Sequence, residues 1–343
     1  MQKHFNIAIV GATGAVGANM MRVLEQRQFP VQQLFPLASK RSAGKTVSFA
    51  GVALKVLDLA AFDFSRADIA FFSAGSSVSE QFAPMAGAQG CIVIDNTSCF
   101  RYQQDIPLIV PEVNPEAIIG YKARNIIANP NCSTIQMLVA LKPLYDVAGI
   151  ERIHVATYQA VSGAGKSAVH ELMQQSRKIL DHQSLVPEDI RLFPVNIAFN
   201  AIPHIDVFLD EGYTREEMKM VWETHKIMGD ENIRVNPTCV RIPVSDSHSE
   251  AVYIETRVPL DAKTARDILA KSPGIQVIDD PKKALYPTAY QARQKYEVFV
   301  GRIRNALDYD KGLNMWIVSD NLLKGAALNS VQIAELLLQK KLV

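Results

Sequence analysis

Cysteine is a strong nucleophile, and one of the four cysteines stands at the start of a predicted helix. Cys132 follows Asn-Pro-Asn and precedes Ser-Thr, residue types that favour a helix N-terminus. A helix N-terminus stabilises a thiolate, so this position predicts a nucleophile, with a structural thiol as the alternative. Cys91 and Cys239 lie in apolar runs typical of a core, and Cys99 lies in a loop. No pair has the C-x-x-C spacing of a metal site, so we expect no metal.

Glycines at a spacing that suits a bound phosphate follow the first apolar run. The segment Gly11-Ala-Thr-Gly-Ala-Val-Gly17 connects a predicted strand to a helical pattern. In such a turn the backbone can approach a pyrophosphate, and the helix N-terminus directs its N–H groups towards it. We predict dinucleotide binding here, with a simple tight turn as the alternative. The predicted contact residues are Gly11, Thr13, Gly14, Ala15, Val16 and Gly17.

Cations occupy the end of the second predicted strand, where an NAD-binding protein usually offers Asp or Glu to the ribose 2′-hydroxyl. The residues there are Ser39-Lys40-Arg41-Ser42, followed by Lys45. A 2′-phosphate suits this cluster, so we predict NADP rather than NAD, contacted by Ser39 and Arg41. A solvated basic loop is the alternative.

Four apolar runs, separated by helical patterns, end at Val10, Ala38, Phe72 and Asp95. This alternation predicts an α/β fold with a Rossmann-like, doubly wound parallel sheet. Residues at the ends of parallel strands line the ligand crevice of such a sheet. The candidates here are Ser73, Ala74, Gly75 and Asn96.

The second half of the chain has a different pattern. The runs 153–158 and 251–258 alternate or are rich in β-branched residues, which predicts an α+β domain with a mostly antiparallel sheet. We therefore expect an NADP-binding domain at 1–127, completed by a C-terminal helix at 321–343. A catalytic and dimerisation domain would occupy 128–320.

Composition limits the possible partners. The 343 residues are 48% hydrophobic and 21% charged, with a formal net charge of +1. These values exclude a disordered chain and argue against nucleic-acid binding. No apolar run reaches the roughly 18 residues that cross a bilayer, and no signal-peptide pattern is present. We expect a cytoplasmic protein with no membrane partner.

The segment 127–137, Ile-Ala-Asn-Pro-Asn-Cys-Ser-Thr-Ile-Gln-Met, closely resembles the active-site segment of aspartate-semialdehyde dehydrogenases. The resemblance continues through segments 11–17, 37–45, 95–101, 110–115, 159–166 and 223–226, and through Arg241 with His248. It implies a homodimer that reversibly reduces L-aspartyl 4-phosphate with NADPH to L-aspartate 4-semialdehyde and phosphate. This reaction serves lysine, threonine, methionine and diaminopimelate biosynthesis.

The resemblance also implies catalytic roles. Cys132 would carry the acyl group as a thioester, and Gln159 would position the thiol and the acyl group. His248 would be the general acid/base that takes the thiol proton. Considered alone, His248 is more typical of a hydrogen-bonded structural histidine.

The implied substrate carries a carboxylate, an ammonium and a phosphoryl group. By resemblance, Arg241 would hold the α-carboxylate through a bidentate pair, and Glu223 would hold the ammonium. Glu223 and Lys226 also have the spacing of a helix-surface ion pair, which is the alternative. The predicted phosphate-binding set is Arg101, Asn131 and Lys226. The remaining predicted cofactor contacts are Ser162, Gly163 and Asn321.

Other functions remain as alternatives at this point. An N-acetylglutamyl-phosphate reductase-like enzyme would share the two-domain architecture, but its substrate has no free ammonium. An inactive paralogue acting as a binding protein would be expected to lack the nucleophile or its base. The Ser-Cys-Thr-Thr-Asn context of glyceraldehyde-3-phosphate dehydrogenase is absent.

Asp246 precedes His248 by two residues. In an extended strand the two side chains would share a face. We therefore hypothesise that Asp246 raises the pKa of His248 and shifts the pH–rate profile.

Overall fold

The computed structural model describes residues 3–343. Its strands are β1 Phe5–Val10, β2 Val31–Ala38, β3 Thr46–Phe49, β4 Val52–Lys55, β5 Leu57–Asp58, β6 Ile69–Phe72, β7 Ile92–Asp95, β8 Ile126–Ala128, β9 Ile150–Gln159, β10 Arg234–Arg241, β11 His248–Thr256, β12 Ile275–Val277, β13 Val298–Asn305 and β14 Gly312–Ser319. Its α-helices are α1 Ala15–Gln26, α2 Ser76–Ala88, α3 Cys132–Ala148, α4 Lys166–Leu180, α5 Arg215–Met228, α6 Ala262–Leu269, α7 Ala289–Ala292 and α8 Leu328–Gln339.

The chain forms two compact units, of which the first extends to Asn131 and includes Ala326–Val343. Its sheet has the strand order β5-β2-β1-β6-β7-β8, and all neighbouring strands are parallel. Strands β6 and β7 are buried along their whole length, as expected for a parallel sheet covered on both faces. The predicted Rossmann-like sheet is confirmed.

The strand order determines where this sheet can bind a ligand. The chain passes from β1 to β2 on one side and later places β6 on the other side of β1. Such a reversal of direction opens a crevice at the carboxyl ends of the strands. The glycine turn lies at this edge because it directly follows β1.

The second unit comprises Cys132–Gly325 and contains the other six-stranded sheet, in the order β10-β9-β11-β14-β13-β12. The four inner strands pair antiparallel, and the two edge strands pair parallel. Helices α3, α5 and α6 contact its strands, and alternate residues of β9 are buried while those between them are partly exposed. The predicted second domain with a mostly antiparallel sheet is thus confirmed as a fold.

The C-terminal segment differs from the expectation of one helix beginning at 321. A π-helical turn spans Leu323–Ala327, and α8 begins at Leu328. The Asp320 carboxylate accepts hydrogen bonds from the backbone N–H groups of Leu322 and Leu323, which hold the chain in a turn before the helix starts. The compact units divide after Asn131 and Gly325, a few residues beyond the predicted positions. Within residues 3–343, no helix combines the length and the apolar character that a bilayer crossing requires.

Candidate active site

A cleft of about 530 Å³ lies at the carboxyl edge of the parallel sheet. It brings together the turn after β1, the loop after β2 and the segment after β6. The predicted cofactor residues that line it are Gly11, Thr13, Gly14, Ser39, Arg41, Ser73 and Ala74. The remaining predicted cofactor residues of this unit do not line the cleft. Three of them begin α1, namely Ala15, Val16 and Gly17, while Gly75 follows β6 and Asn96 follows β7.

The turn has the features that a dinucleotide phosphate requires. Gly11 has φ +90°, and a side chain there would meet Ser73 at 3.0 Å. A side chain at Gly17 would meet the Ala12 Cα at 2.9 Å and overlap the Gly11 carbonyl. No side chain caps the N-terminus of α1, so its first N–H groups remain available to an anion. These residues fit a nicotinamide dinucleotide.

The cleft also contains groups near the expected ribose position. Lys40, Arg41 and Ser42 line it, as the prediction of a 2′-phosphate requires. Sequence reasoning missed Asp58, whose carboxylate lines the same cleft and accepts a hydrogen bond from Ala60 N–H. Asp58 is the last residue of a two-residue strand, β5, that has no apolar run to identify it.

Cys132 is the first residue of α3 and is half-buried. A side chain at Gly325 would meet the Cys132 Cβ at 2.6 Å, so glycine alone lets the backbone approach Cys132 this closely. The sequence assigned no role to Gly325, and only tertiary packing identifies this contact.

The other cysteines are poor nucleophiles. Burial raises the pKa of Cys91 to about 12 and raises the pKa of Cys239 well above its usual value. The pKa of Cys99 is also raised, by burial and by nearby Asp95 and Glu80. All three remain thiols at neutral pH, so Cys132 is the best candidate.

The backbone of one residue, Ala160, holds a predicted substrate-binding side chain and a predicted catalytic one. The Ala160 carbonyl accepts a hydrogen bond from Arg241 Nη1 at 2.7 Å, and the Ala160 N–H donates to His248 Nδ1 at 3.0 Å. A side chain at Gly163 would lie 3.1 Å from Arg241 Nη1 and 3.5 Å from His248 Nε2. Gln136, four residues after Cys132 on α3, donates from its Nε2 to the His248 carbonyl at 3.5 Å. The start of α3 therefore lies near the predicted arginine and histidine.

Gln159 contacts a carboxylate that the sequence did not single out. Its Nε2 donates to Glu216 Oε1 at 3.1 Å, and its Oε1 accepts from Thr157 Oγ1. Glu216 Oε2 accepts from Lys219 Nζ at 2.9 Å. Burial lowers the pKa of Lys219, but Glu216 and Asp206 together raise it above its usual value.

Glu216 and Lys219 have the same residue types and spacing as the predicted pair Glu223 and Lys226, and Glu216 lies beside Gln159. The roles of Glu223 and Lys226 stay predictions. A capping box between Thr214 and Glu217 starts α5, so Glu216 falls in its first turn, beside Gln159. Glu223 is seven residues further on, about 10 Å along the axis. Both pairs share a spacing of three residues, so spacing alone could not distinguish them.

Asn321 joins three segments of the second unit. Its Oδ1 accepts from Ser247 N–H at 2.9 Å, and its amide exchanges hydrogen bonds with Ser162 Oγ. Ser247 has φ +72°, a left-handed conformation that is rare outside glycine. The predicted residues Ser162, Gly163 and Asn321 therefore lie together, and Asn321 also fixes the chain immediately before His248.

The proposed influence of Asp246 on His248 rested on an extended strand, and that premise is wrong. The left-handed Ser247 interrupts the chain between the two residues, and β11 begins only at His248. Asp246 instead pairs with Arg293 at 3.2 Å and raises the pKa of Asp320.

Arg101 and Asn131, the other predicted phosphate ligands, are buried residues of the first unit. Arg101 Nη2 donates to the Asn96 carbonyl at 2.9 Å, which fixes the guanidinium beside the end of β7. Asn96 in turn accepts a hydrogen bond from Ser330 of α8.

Glu250 is a fully buried acid two residues beyond His248. Burial raises its pKa well above the usual value, and the side chain of Gln136 lowers it by a smaller amount. The folded state therefore holds this proton to a higher pH than the unfolded chain, which releases it above about pH 4.5. Folded stability is fully present below that pH and declines as pH rises towards the folded pKa.

The Glu250→Gln variant keeps the shape and removes this titration. We expect it to be more stable than the parent protein, with a difference that widens between about pH 5 and pH 8. Thermal unfolding across this range measures it, with 1 kcal/mol appearing as about 2–4 °C. The exposed Glu231→Gln is the matched control. A constant difference across the range would contradict a raised pKa for Glu250.

The fold and the cofactor cleft together are those of a nicotinamide-dependent dehydrogenase. Two family models match the chain in the order of its two units. A semialdehyde dehydrogenase NAD-binding domain matches residues 6–121, and a semialdehyde dehydrogenase dimerisation domain matches residues 141–324.

Individual relatives narrow this class. An aspartate-semialdehyde dehydrogenase of Legionella pneumophila is 59% identical over 338 residues, which cover 98% of this chain and 96% of the relative. Its counterpart in Shewanella violacea is 56% identical and covers 99% of each chain. A crystal structure of aspartate semialdehyde dehydrogenase II from Vibrio cholerae, complexed with ASA, has a TM-score of 0.96 and 55% identity, and covers 98% of this chain and 99% of that one. This chain belongs to the aspartate-semialdehyde dehydrogenase family.

Proposed function

We propose that this chain catalyses the reversible, NADPH-dependent reductive dephosphorylation of L-aspartyl 4-phosphate to L-aspartate 4-semialdehyde. The observation that carries the proposal is that Ala160 holds Arg241 and His248 together, while Gln136 on the helix that begins at Cys132 contacts His248. Full-length relatives named for this activity support it. The pathway products would be lysine, threonine, methionine and diaminopimelate. An N-acetylated substrate fits less well, because the Glu216 carboxylate suits a free ammonium.

In the proposed mechanism, the Cys132 thiolate attacks the acyl carbon, and the departing phosphate leaves a thioester on sulfur. A bound nicotinamide cofactor supplies the hydride that reduces this thioester. Collapse of the resulting oxyanion releases the aldehyde and restores the thiolate. The N-terminus of α3 stabilises the sulfur anion at both ends of the cycle.

Substrate groups would be recognised by opposite charges. We assign the α-carboxylate to Arg241 and the ammonium to Glu216. The phosphate would contact Arg101, Asn131 and Lys219. Gln159 would position the acyl group, because its amide is held by Thr157 and Glu216.

The direct test of the activity supplies L-aspartate 4-semialdehyde, NADP and inorganic phosphate to the purified protein. Reduced nicotinamide should accumulate only when all three are present. Turnover that does not require phosphate would contradict the acyl-phosphate reaction.

The proposed preference for NADP depends on the cations of the cleft. We expect Arg41→Ala to weaken NADP binding by roughly ten- to a hundredfold, because a hydrogen bond to a charged group contributes about 1.5–3 kcal/mol. Binding of NAD, which lacks the 2′-phosphate, should hardly change. Titration calorimetry with both cofactors measures the ratio. Lys55→Ala, an exposed cation on β4 away from the cleft, serves as the control, and an equal loss for both cofactors would reject a 2′-phosphate contact.

We also propose a homodimer that forms through one face of the six-stranded sheet of the second unit, the face that carries Ala251 and Met315. Two clefts of about 390 and 330 Å³ lie on this face, and both are lined by Ala251, Met315 and Arg304. Tyr253 and Trp316 are partly exposed there. The match to a dimerisation domain supports this assembly.

The Ala251→Arg variant tests the interface. A bulky cation at the centre of the face should raise the dimer dissociation constant by at least about a hundredfold, through overpacking and an unpaired buried charge. Sedimentation velocity over a range of concentrations measures the shift. Val52→Arg, on an exposed strand of the first unit, should remain as dimeric as the parent. An Ala251→Arg protein that stays dimeric would place the interface elsewhere.

We propose the cytoplasm as the location. No disulfide joins cysteines among residues 3–343, as is usual in a reducing compartment.

A further inference from the structure

Asp58 is the one acidic residue among those that line the cofactor cleft in the described part of the chain. It ends β5, the edge strand of the parallel sheet, and is half-buried. Its partner on the neighbouring strand is Ala38, the last residue of β2, which lines the same cleft. Lys40 and Arg41 also line the cleft, but within residues 3–343 neither forms an ion pair with Asp58. The carboxylate is therefore not neutralised by the cations assigned to the 2′-phosphate.

The two carboxylate oxygens of Asp58 have different surroundings. Oδ1 accepts a hydrogen bond from the Ala60 N–H at 3.2 Å and caps the short 3₁₀ turn that follows β5. Oδ2 accepts no hydrogen bond from any residue between 3 and 343. A carboxylate offers acceptor positions only. The cleft therefore presents an acceptor to a ligand group that carries an N–H or O–H.

The position of Asp58 along the edge of the sheet indicates which part of a dinucleotide it faces. The glycine turn follows β1, the cationic loop follows β2, and Asp58 ends β5, the next strand outward. Neighbouring strands are about 5 Å apart, so these three positions lie in a row. A dinucleotide follows the same order from its pyrophosphate through the adenosine ribose to the base. Asp58 is therefore beyond the ribose position and on the side of the base.

Apolar side chains that suit a flat ring line the cleft together with Asp58. Leu59 follows it directly and is buried, and Ala60 comes next. Val78 and Phe82 are four residues apart on α2, so they share one face of that helix, and both line the cleft. Pockets for small molecules commonly combine apolar walls with a few polar groups that fix the orientation of the ligand. In this cleft the unused acceptor is such a group.

We propose that Asp58 Oδ2 accepts a hydrogen bond from the exocyclic amino group of adenine and thereby selects adenine over 6-oxopurines. The inference rests on the proposed use of a nicotinamide dinucleotide and adds the base that the site recognises. Adenine carries an amino donor at C6, whereas a 6-oxopurine carries an acceptor oxygen there. A carboxylate binds the first group and repels the second. The cations of the cleft take no part in this choice.

Titration calorimetry with four dinucleotides tests the proposal: NADP, NAD and the counterparts of each in which hypoxanthine replaces adenine. The parent protein should bind each adenine form at least about tenfold more tightly than its hypoxanthine counterpart, as expected of one hydrogen bond to a charged group. Asn and Asp are equally good caps, so Asp58→Asn keeps its Oδ1 on the Ala60 N–H. Its Nδ2 donor then replaces Oδ2. We expect this variant to lose the preference for adenine or to prefer hypoxanthine.

The matched control is Asp63→Asn. Asp63 caps the next 3₁₀ turn through the Ser65 N–H in the same way, but it does not line the cleft. This variant should keep the base preference of the parent protein. A parental preference in Asp58→Asn would reduce Asp58 to a turn cap and overturn the proposal. A changed ratio of NADP to NAD affinity with an unchanged base preference would assign Asp58 to the ribose, which also overturns it.

The binding measurement does not depend on turnover, so the two proposals can fail separately. A parent protein that binds adenine and hypoxanthine forms equally well would overturn the role of Asp58, whatever its activity. A parent protein that prefers adenine but shows no phosphate-dependent turnover would support the role of Asp58 and contradict the proposed function. Absence of binding for all four dinucleotides would overturn both.

Discussion

Replacing Cys132 with serine should reduce kcat by at least about 10⁴-fold, the largest effect expected of any substitution in the chain. The attacking species is the thiolate, and a hydroxyl at the same helix N-terminus remains protonated at neutral pH. Removal of a covalent nucleophile leaves only the rate provided by binding and oxyanion stabilisation. The measurement is the phosphate-dependent formation of reduced nicotinamide.

Cys99→Ser is the matched control, because Cys99 is partly exposed and its raised pKa leaves it as a thiol. It should retain near-parental activity. Cofactor titration should show that Cys132→Ser still binds the dinucleotide, so the loss lies in the chemistry. Full activity in Cys132→Ser would contradict the proposed thioester mechanism.

Replacing Arg241 with leucine should lower kcat/KM for the semialdehyde by about 30-fold to several thousand-fold. Arg241 is buried, and its guanidinium is held by the Ala160 carbonyl at 2.7 Å. Loss of one partner of a buried charge pair costs about 2–5 kcal/mol, which converts to this range. Arg241→Lys should recover part of the loss, because it keeps the charge but not the bidentate geometry.

An analogue that lacks the α-carboxylate isolates this contact. The parent protein should discriminate strongly between the semialdehyde and 3-aminopropanal, and Arg241→Leu should lose most of that discrimination. Arg234→Leu, at the exposed end of the same strand where it pairs with Glu151, should behave as the parent. Unchanged discrimination in Arg241→Leu would assign the carboxylate to another residue.

The sequence alone determined the features that depend on neighbours along the chain. The glycine turn after β1 is such a feature, because a strand, a close phosphate approach and a helix start all occur within a few residues. Cys132 at the start of α3 is another, since helix capping and thiolate stabilisation are local effects. The division into a parallel and a mostly antiparallel sheet also followed from local hydrophobic periodicity.

Only the tertiary structure decided which side chains meet. Glu216 contacts Gln159 because the capping box at Thr214 fixes where α5 starts relative to β9. The His248 ring accepts a hydrogen bond from the Ala160 N–H, which β-sheet pairing brings across 88 residues of sequence. Identical spacings and residue types produce different contacts because long-range strand pairing and helix packing, which no short segment encodes, set the distances between them.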